Sequence, residues 1–323
     1  MKSNSKTKDA SLVTAALLAF VALFGMTACP NNAGGNTDSA SGGNTGGLEL
    51  PQAPLVQGGA SLIVSPDKLT IKVKATTSDN SPITVEGCDK TELASGTETT
   101  VTANVTKVVL KGKITELTCN DNKLTSLNVQ GLTDLHKLSC NSNKLTSLSV
   151  QGLSALQNLQ CADNQLTSLN AQGLDTLKTL WCAGNQLTSL NVQDCAALQS
   201  LWCYKNKLTE LNVQGCTSLQ YLYCHKNQLT SLSIRDSSAL LRLECYCNQL
   251  NTEALKKLCT DLPQRTASKK ASCVLYSEYP GDTEGNHKDF SSSGELKAAF
   301  DNAKDTKYWK MHKHGTNGKD VEI

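Results

Sequence analysis

Aromatic residues are scarce in this chain, at 4% of 323 residues. Any place where they gather therefore stands out. An excess of charge of either sign is also missing: 31 Lys and Arg face 29 Asp and Glu, a formal net charge of +2. Residues 114–250 hold nine basic and nine acidic residues. A nucleic-acid binder shows a basic face, so that function is excluded. No nucleophile elbow, phosphate-binding loop or dinucleotide-binding glycine pattern occurs, which speaks against an enzyme. Beyond the first 30 residues no apolar run is long enough to span a bilayer.

What the chain has is a period. Cysteine recurs at 119, 140, 161, 182, 203, 224 and 245, every 21 residues. Asparagine follows three positions later each time, from Asn122 to Asn248, and leucine holds 117 to 243 and 124 to 250 in the same phase. The unit reads L-x-x-L-x-C-x-x-N-x-L, then T-[SE]-L-x-[VAI]-[QR]. Around Leu222 and Cys224 apolar residues alternate with Tyr221, Tyr223 and His225, which predicts a short strand with one face buried. Leu229, Leu232 and Ile234 predict an inward-facing return path. One unit has no core of its own; stacking supplies a continuous one. The repeated asparagine, carrying both a carbonyl and an amide NH2, suits backbone groups of its own and the adjacent coil.

This pattern resembles the leucine-rich repeat family. With "LTSLNVQG" on its back side it looks like the short repeats of bacterial cell-surface proteins, and is similar to surface lipoproteins of spirochaetes and Bacteroidetes. The resemblance implies a solenoid with a curved parallel β-sheet on the concave face and a mostly irregular convex side. It also implies attachment at a cell surface.

The N-terminus supports export. Lys2, Lys6 and Lys8 precede the 13-residue apolar run Leu12–Phe24, the length of a signal-peptide core. Met26-Thr27-Ala28-Cys29 is similar to a lipobox, which makes Cys29 the expected lipidation site and the lipid the expected membrane anchor. Residues 1–28 are read as signal peptide and 29–57 as a Gly/Asn/Ser-rich tether. Removal of the signal peptide brings the net charge to about 0. The expected location is the bacterial cell envelope, on the outer-membrane surface.

An exported chain with 14 cysteines invites a disulfide reading. The phase opposes it. The seven ladder cysteines hold an inward slot, with Cβ vectors side by side instead of facing. Cys195 and Cys216 take the slot of Leu132, Leu153 and Leu174. These nine read as buried free thiols, acting as small hydrophobes. Cys247 falls at an outward slot, which predicts partial exposure; Cys88, Cys259 and Cys273 are unassigned. A spacing of 21 is wrong for zinc. His312 and His314 form an H-x-H pair without a third ligand, so no metal or other cofactor is expected.

The flanks differ from the repeats. Residues 58–113 alternate apolar and polar positions and predict a β-rich N-terminal cap. Residues 251–323 predict a β/α C-terminal cap: helix at "NTEALKKLCTDL", strand at "ASCVLYSE", helix at "SGELKAAFDNAKDTK", strand at "YWKMHKH".

The outward strand positions are free of the core, and they carry the scarce aromatics. One column reads Thr118, Ser139, Gln160, Trp181, Trp202, Tyr223, Glu244; the next reads Asn120, Asn141, Ala162, Ala183, Tyr204, His225, Tyr246. Tyr221 and Arg242, then Lys205 and Lys226, flank them. Repeats four to seven hold two of the three tryptophans and four of the seven tyrosines. Such a patch has the composition of a binding hot spot; cross-strand ring stacking is the structural alternative. The expectation is a non-catalytic protein that binds a protein partner here, in adhesion to host or neighbouring cells. Two alternatives stay open: glycan binding, and an envelope spacer that self-associates.

Overall fold

The computed structural model describes residues 51–268 and 271–323. The expected signal peptide, Cys29 and the tether as far as residue 50 lie outside the described residues.

The cap strands come first: β1 (Gly59–Ile63), β2 (Thr70–Thr77), β3 (Ile83–Glu86), β4 (Glu92–Leu93), β5 (Thr99–Thr102) and β6 (Lys107–Lys111). The solenoid then lays down β7 (Ile114–Thr118), β8 (Ser126–Asn128), β9 (Lys137–Ser139), β10 (Asn158–Gln160), β11 (Ser168–Asn170), β12 (Thr179–Trp181), β13 (Ser189–Asn191), β14 (Ser200–Trp202), β15 (Tyr221–Tyr223) and β16 (Arg242–Glu244). The chain ends with α1 (Thr252–Asp261), β17 (Ala271–Ser277), α2 (Glu295–Asp301), a π turn over Asn302–Thr306, β18 (Trp309–His314) and β19 (Asp320–Glu322).

The fold is a leucine-rich repeat solenoid. Its front sheet runs β7-β9-β10-β12-β14-β15-β16-β17-β18, all neighbours parallel. The 21-residue period becomes register: Leu159 pairs with Leu180, Leu180 with Leu201, Leu201 with Leu222, and Leu222 with Leu243. Strands β9, β10, β12, β14, β15 and β16 are only three residues long, because the inward leucine is soon followed by a left-handed residue. Asp121, Ser142, Asp163, Gly184, Lys205, Lys226 and Cys247 all have φ between 53° and 67°, which ends the strand and turns the chain inward.

The asparagine after each turn holds the coils together. Asn206 Oδ1 accepts from Leu187 N at 3.0 Å, and its Nδ2 donates to Cys182 O at 3.1 Å and Cys203 O at 3.0 Å. The same bonds recur from Asn143 to Asn248. Both polar ends of a buried side chain are thus satisfied, and one coil is stitched to the one before it. Leu229, Leu232 and Ile234 are buried on the return path. The back is largely turns; β11 and β13 pair there in parallel, continued by single bridges at Asn212 and Ser233.

The N-terminal cap continues both surfaces of the solenoid. β2 pairs antiparallel with β7 at the front, Ala75 opposite Leu117. β1 pairs antiparallel with β8 at the back, Leu62 opposite Leu127. Gly131 lets the cap approach, since a Cβ there would stand 1.9 Å from Val56 O.

The other end is closed by continuing the core. Leu243 pairs with Cys273 and Cys273 with Met311, so the inward ladder passes into the cap. Helix α1 starts at Asn251, whose side chain accepts from Ala254 N at 2.9 Å, and buries Leu255, Leu258 and Cys259. All 13 cysteines of the described residues are free thiols, and all but Cys88 are buried. Cys247 corrects an expectation. Its slot faces outward, yet the chain at 277–286 crosses over it: Glu284 Oε2 accepts from Cys247 N at 2.8 Å, and Cys247 is buried. Among the described residues no helix is long and apolar enough to cross a membrane.

Candidate partner-binding face

The front sheet has two different halves. In the first three repeats the outward residues form an amide network. Asn120 Oδ1 accepts from Asn141 N at 2.7 Å, and Asn141 Oδ1 accepts from Ala162 N at 2.8 Å. Ser139 Oγ bonds Asn120 Oδ1 at 2.9 Å. These side chains are spent on the backbone of the next coil, a role their polarity alone does not reveal. Beside them, between cap and first repeat, lies a cleft of about 820 Å³, lined by Asp67, Lys68, Lys72, Glu98, Asn120 and Asn122. Its lining carries charges of both signs, and the rings begin three coils further on.

From the fourth repeat the rings take over, in two rows. Trp181 and Trp202 meet edge to face with centroids 5.2 Å apart, and Trp202 meets Tyr223 at 5.9 Å. All three are half-buried, Tyr221 beside them is 38% exposed, and Lys205 is exposed. Identical strand register one coil apart brings them together. These are the residues of the expected site that remain open to solvent.

The second row is packed differently. Tyr204, His225 and Tyr246 stack nearly parallel, at 4.6 and 4.4 Å, and His314 of β18 adds a fourth ring at 5.0 Å from Tyr246. Val274 on the strand between is fully buried and packs with Tyr246 and Cys247. Tyr279 caps the row at 5.6 Å from His314. His225 and Tyr246 are buried, at 8% and 6% exposure. The expectation that both stand on the open face is thus corrected: their faces are consumed within the stack. His314 serves as a rung, not as half of a metal pair. Among the described residues no group of three or more His, Cys, Asp or Glu is arranged to hold a metal ion.

Charges at this end are also committed. The Arg242 guanidinium donates to Glu244 Oε1 at 2.8 Å and to Asp320 of β19. Lys226 Nζ pairs with Asp282 Oδ1 at 2.6 Å. His225 Nδ1 lies 3.4 Å from Glu244 Oε2, close enough to stabilise an imidazolium. Burial wins over that contact: desolvation, helped by Lys226, His314 and Lys205, lowers His225 to about 3. Burial likewise raises Glu244, against the pull of Arg242. The pair is thus a neutral imidazole beside a largely buried carboxylate.

Arg242, Glu244, Lys226, His225 and Tyr246 therefore act as supports, while Trp181, Trp202, Tyr204, Lys205, Tyr221 and Tyr223 form the accessible surface. Asp282, His314 and Asp320 belong to the support as well. Sequence reasoning weighed His314 only as part of an H-x-H pair and did not reach Asp282 or Asp320, because the cap lies outside the period and offers no phase to read.

No family model matches the chain, and no curated protein matches it. Three solved structures are similar to part of it. The functional domain of InlJ from Listeria monocytogenes, which includes a cysteine ladder, is 28% identical over 50% of this chain and 39% of that one, with a TM-score of 0.37. A leucine-rich repeat protein of Leptospira interrogans is 22% identical over 54% of this chain and 54% of its own, with a TM-score of 0.37. Internalin C2 from Listeria monocytogenes is 22% identical over 56% of this chain and 79% of its own, with a TM-score of 0.41. This chain thus spans less than two thirds of the first two structures, and its fold assignment rests on its own strand register.

Proposed function

We propose that this chain is a non-catalytic surface lipoprotein of a bacterial envelope, anchored through an acylated Cys29. It binds a protein partner through the open aromatic row of its concave sheet, in adhesion to host or neighbouring cells. The observation that carries the reading is the contrast between the two halves of one sheet. The same leucine and asparagine scaffold supports a self-satisfied amide network in repeats one to three. In repeats four to six it supports half-exposed Trp181, Trp202 and Tyr223. The same scaffold stacks in the amide half without outward aromatics. Large, rigid, partly buried aromatics with a lysine at their border form hot spots. Glycan binding is weaker on this geometry. Sugars stack on open ring faces, and His225 and Tyr246 have both faces covered.

The test uses residues 30–323 and a variant with Trp181, Trp202 and Tyr223 all changed to serine. Both are applied to arrays of extracellular matrix proteins and of glycans after their melts are compared. Loss of a protein ligand with an unchanged melt supports the reading. A glycan ligand lost in the variant transfers the face to sugars, and binding that ignores the variant removes it from the concave sheet. The anchor is tested separately, by detergent-phase partitioning of the full chain and of Cys29→Ser.

A further inference from the structure

We infer that the partner docks an acidic segment, Asp or Glu next to apolar side chains, over Tyr204, Lys205 and Lys207. This rests on the reading of the aromatic row as a binding face and adds the chemistry of what it binds.

The inference comes from an account of charges around the rings. Three carboxylates around the second ring row already have a cation. Glu244 and Asp320 share Arg242, and Asp282 takes Lys226. Lys205 and Lys207 remain. Among the described residues neither forms an ion pair, and Lys207 Nζ meets only the neutral Gln186 Oε1, at 3.2 Å. Both side chains are exposed on coil five, directly after Tyr204. The Lys205 charge reaches the ring stack, where it contributes to keeping His225 neutral.

The same border turns acidic toward the N-terminal end. Its left-handed column reads Asp121, Ser142, Asp163, Gly184, Lys205, Lys226. Asp163 stands two coils from Lys205 without pairing with it. Within this column the acidic residues stand toward the N-terminal end and the lysines beside the open aromatics.

Ring geometry adds to this. Tyr204 lies parallel to His225, 6° off plane, so one of its faces is covered. Trp202 is met by Trp181 at 76° and by Tyr223 at 49°. Aromatic surface of Trp202, Tyr204 and Tyr223 thus lies beside the two lysines. Two unpaired ammonium groups next to half-buried rings complement a carboxylate that neighbours an apolar side chain.

The test pans a library of short random peptides against immobilised residues 51–323. The most enriched peptide is then titrated against the wild type, Lys205→Gln/Lys207→Gln and Trp202→Ala. We expect enrichment of acidic peptides with an aliphatic or aromatic neighbour. We expect about tenfold weaker binding to the lysine variant, a comparable loss with Trp202→Ala, and weakening with salt. Enriched peptides without acidic bias, sensitive to Trp202→Ala but not to the lysine variant or salt, overturn the inference and leave the binding face standing. Peptides indifferent to Trp202→Ala, or no enrichment over the bare surface, overturn both.

Discussion

His225 and Tyr246 lie face to face, 4.4 Å apart and 10° from parallel, and both are buried although they hold outward slots of the sheet. A histidine in that position carries a pH dependence. Folded, it is held near 3; unfolded it returns to its ordinary 6.5. Between those values the unfolded chain binds a proton that the folded chain refuses, so stability falls as pH drops from about 6.5 toward 3. Glu244, raised by burial, works the other way, since the folded state holds its proton longer. Changing His225 to phenylalanine keeps the stack and removes the imidazole. Urea midpoints across this range are expected to decline less in His225→Phe than in the wild type, with a difference on the order of 4 kcal/mol at most. Parallel acid limbs would contradict the assignment.

The asparagine stitches set a second expectation. Asn206→Ala strands the Leu187 amide and the Cys182 and Cys203 carbonyls in the interior. The cost is about 2–4 kcal/mol by denaturant unfolding. A loss below about 0.5 kcal/mol would show that these bonds are replaceable.

The left-handed column is tested at Ser142, φ 55°, exposed and outside the aromatic half. Ser142→Gly is expected to be neutral or to stabilise by up to about 1 kcal/mol, and Ser142→Val to destabilise by about 1–2 kcal/mol. Thermal melts that rank them the other way would contradict the turn geometry.

Ser237 sits in the inward slot held upstream by Leu174, Cys195 and Cys216. Its Oγ is buried without a hydrogen-bond partner, whereas Cys195 and Cys216 direct their thiols at Ala171 O and Val192 O, each at 3.2 Å. Ser237→Cys is expected to raise stability by about 1 kcal/mol. An unchanged melt would indicate that a water already satisfies the hydroxyl.

Thiol chemistry checks the core. Burial pushes Cys119, Cys161 and Cys203 up to about 12, which removes the reactive thiolate. In residues 51–323 only Cys88 is expected to react promptly with a disulfide reagent, the remainder following global unfolding. Rapid reaction of several ladder thiols would mean that the solenoid opens locally.

Stacking explains what was readable. Each repeat places the same letter in the same environment, so Leu201, Cys203 and Asn206 declare their burial by recurring. The open row of Trp181, Trp202 and Tyr223 was readable for the converse reason, because it varies where the scaffold does not. The left-handed column was not, since Asp121, Ser142, Lys205 and Cys247 share a backbone angle and no side-chain chemistry. The cover over Cys247, His225 and Tyr246 was not readable either. It depends on contacts such as Arg242 with Asp320, 78 residues apart, and Tyr246 with His314, neither of which any period announces.

The most direct measurement compares Trp202→Ala with Leu201→Ala, adjacent residues facing opposite sides of β14. Each is assayed for urea midpoint and for binding by the folded fraction to a protein ligand identified on the matrix array. Leu201→Ala should lose about 2–5 kcal/mol of stability while its folded molecules bind normally. Trp202→Ala should lose less than about 1 kcal/mol of stability and at least about tenfold in binding. The reverse for Trp202, a core-like loss of stability with binding intact, would make the aromatic row a structural ladder and contradict the account.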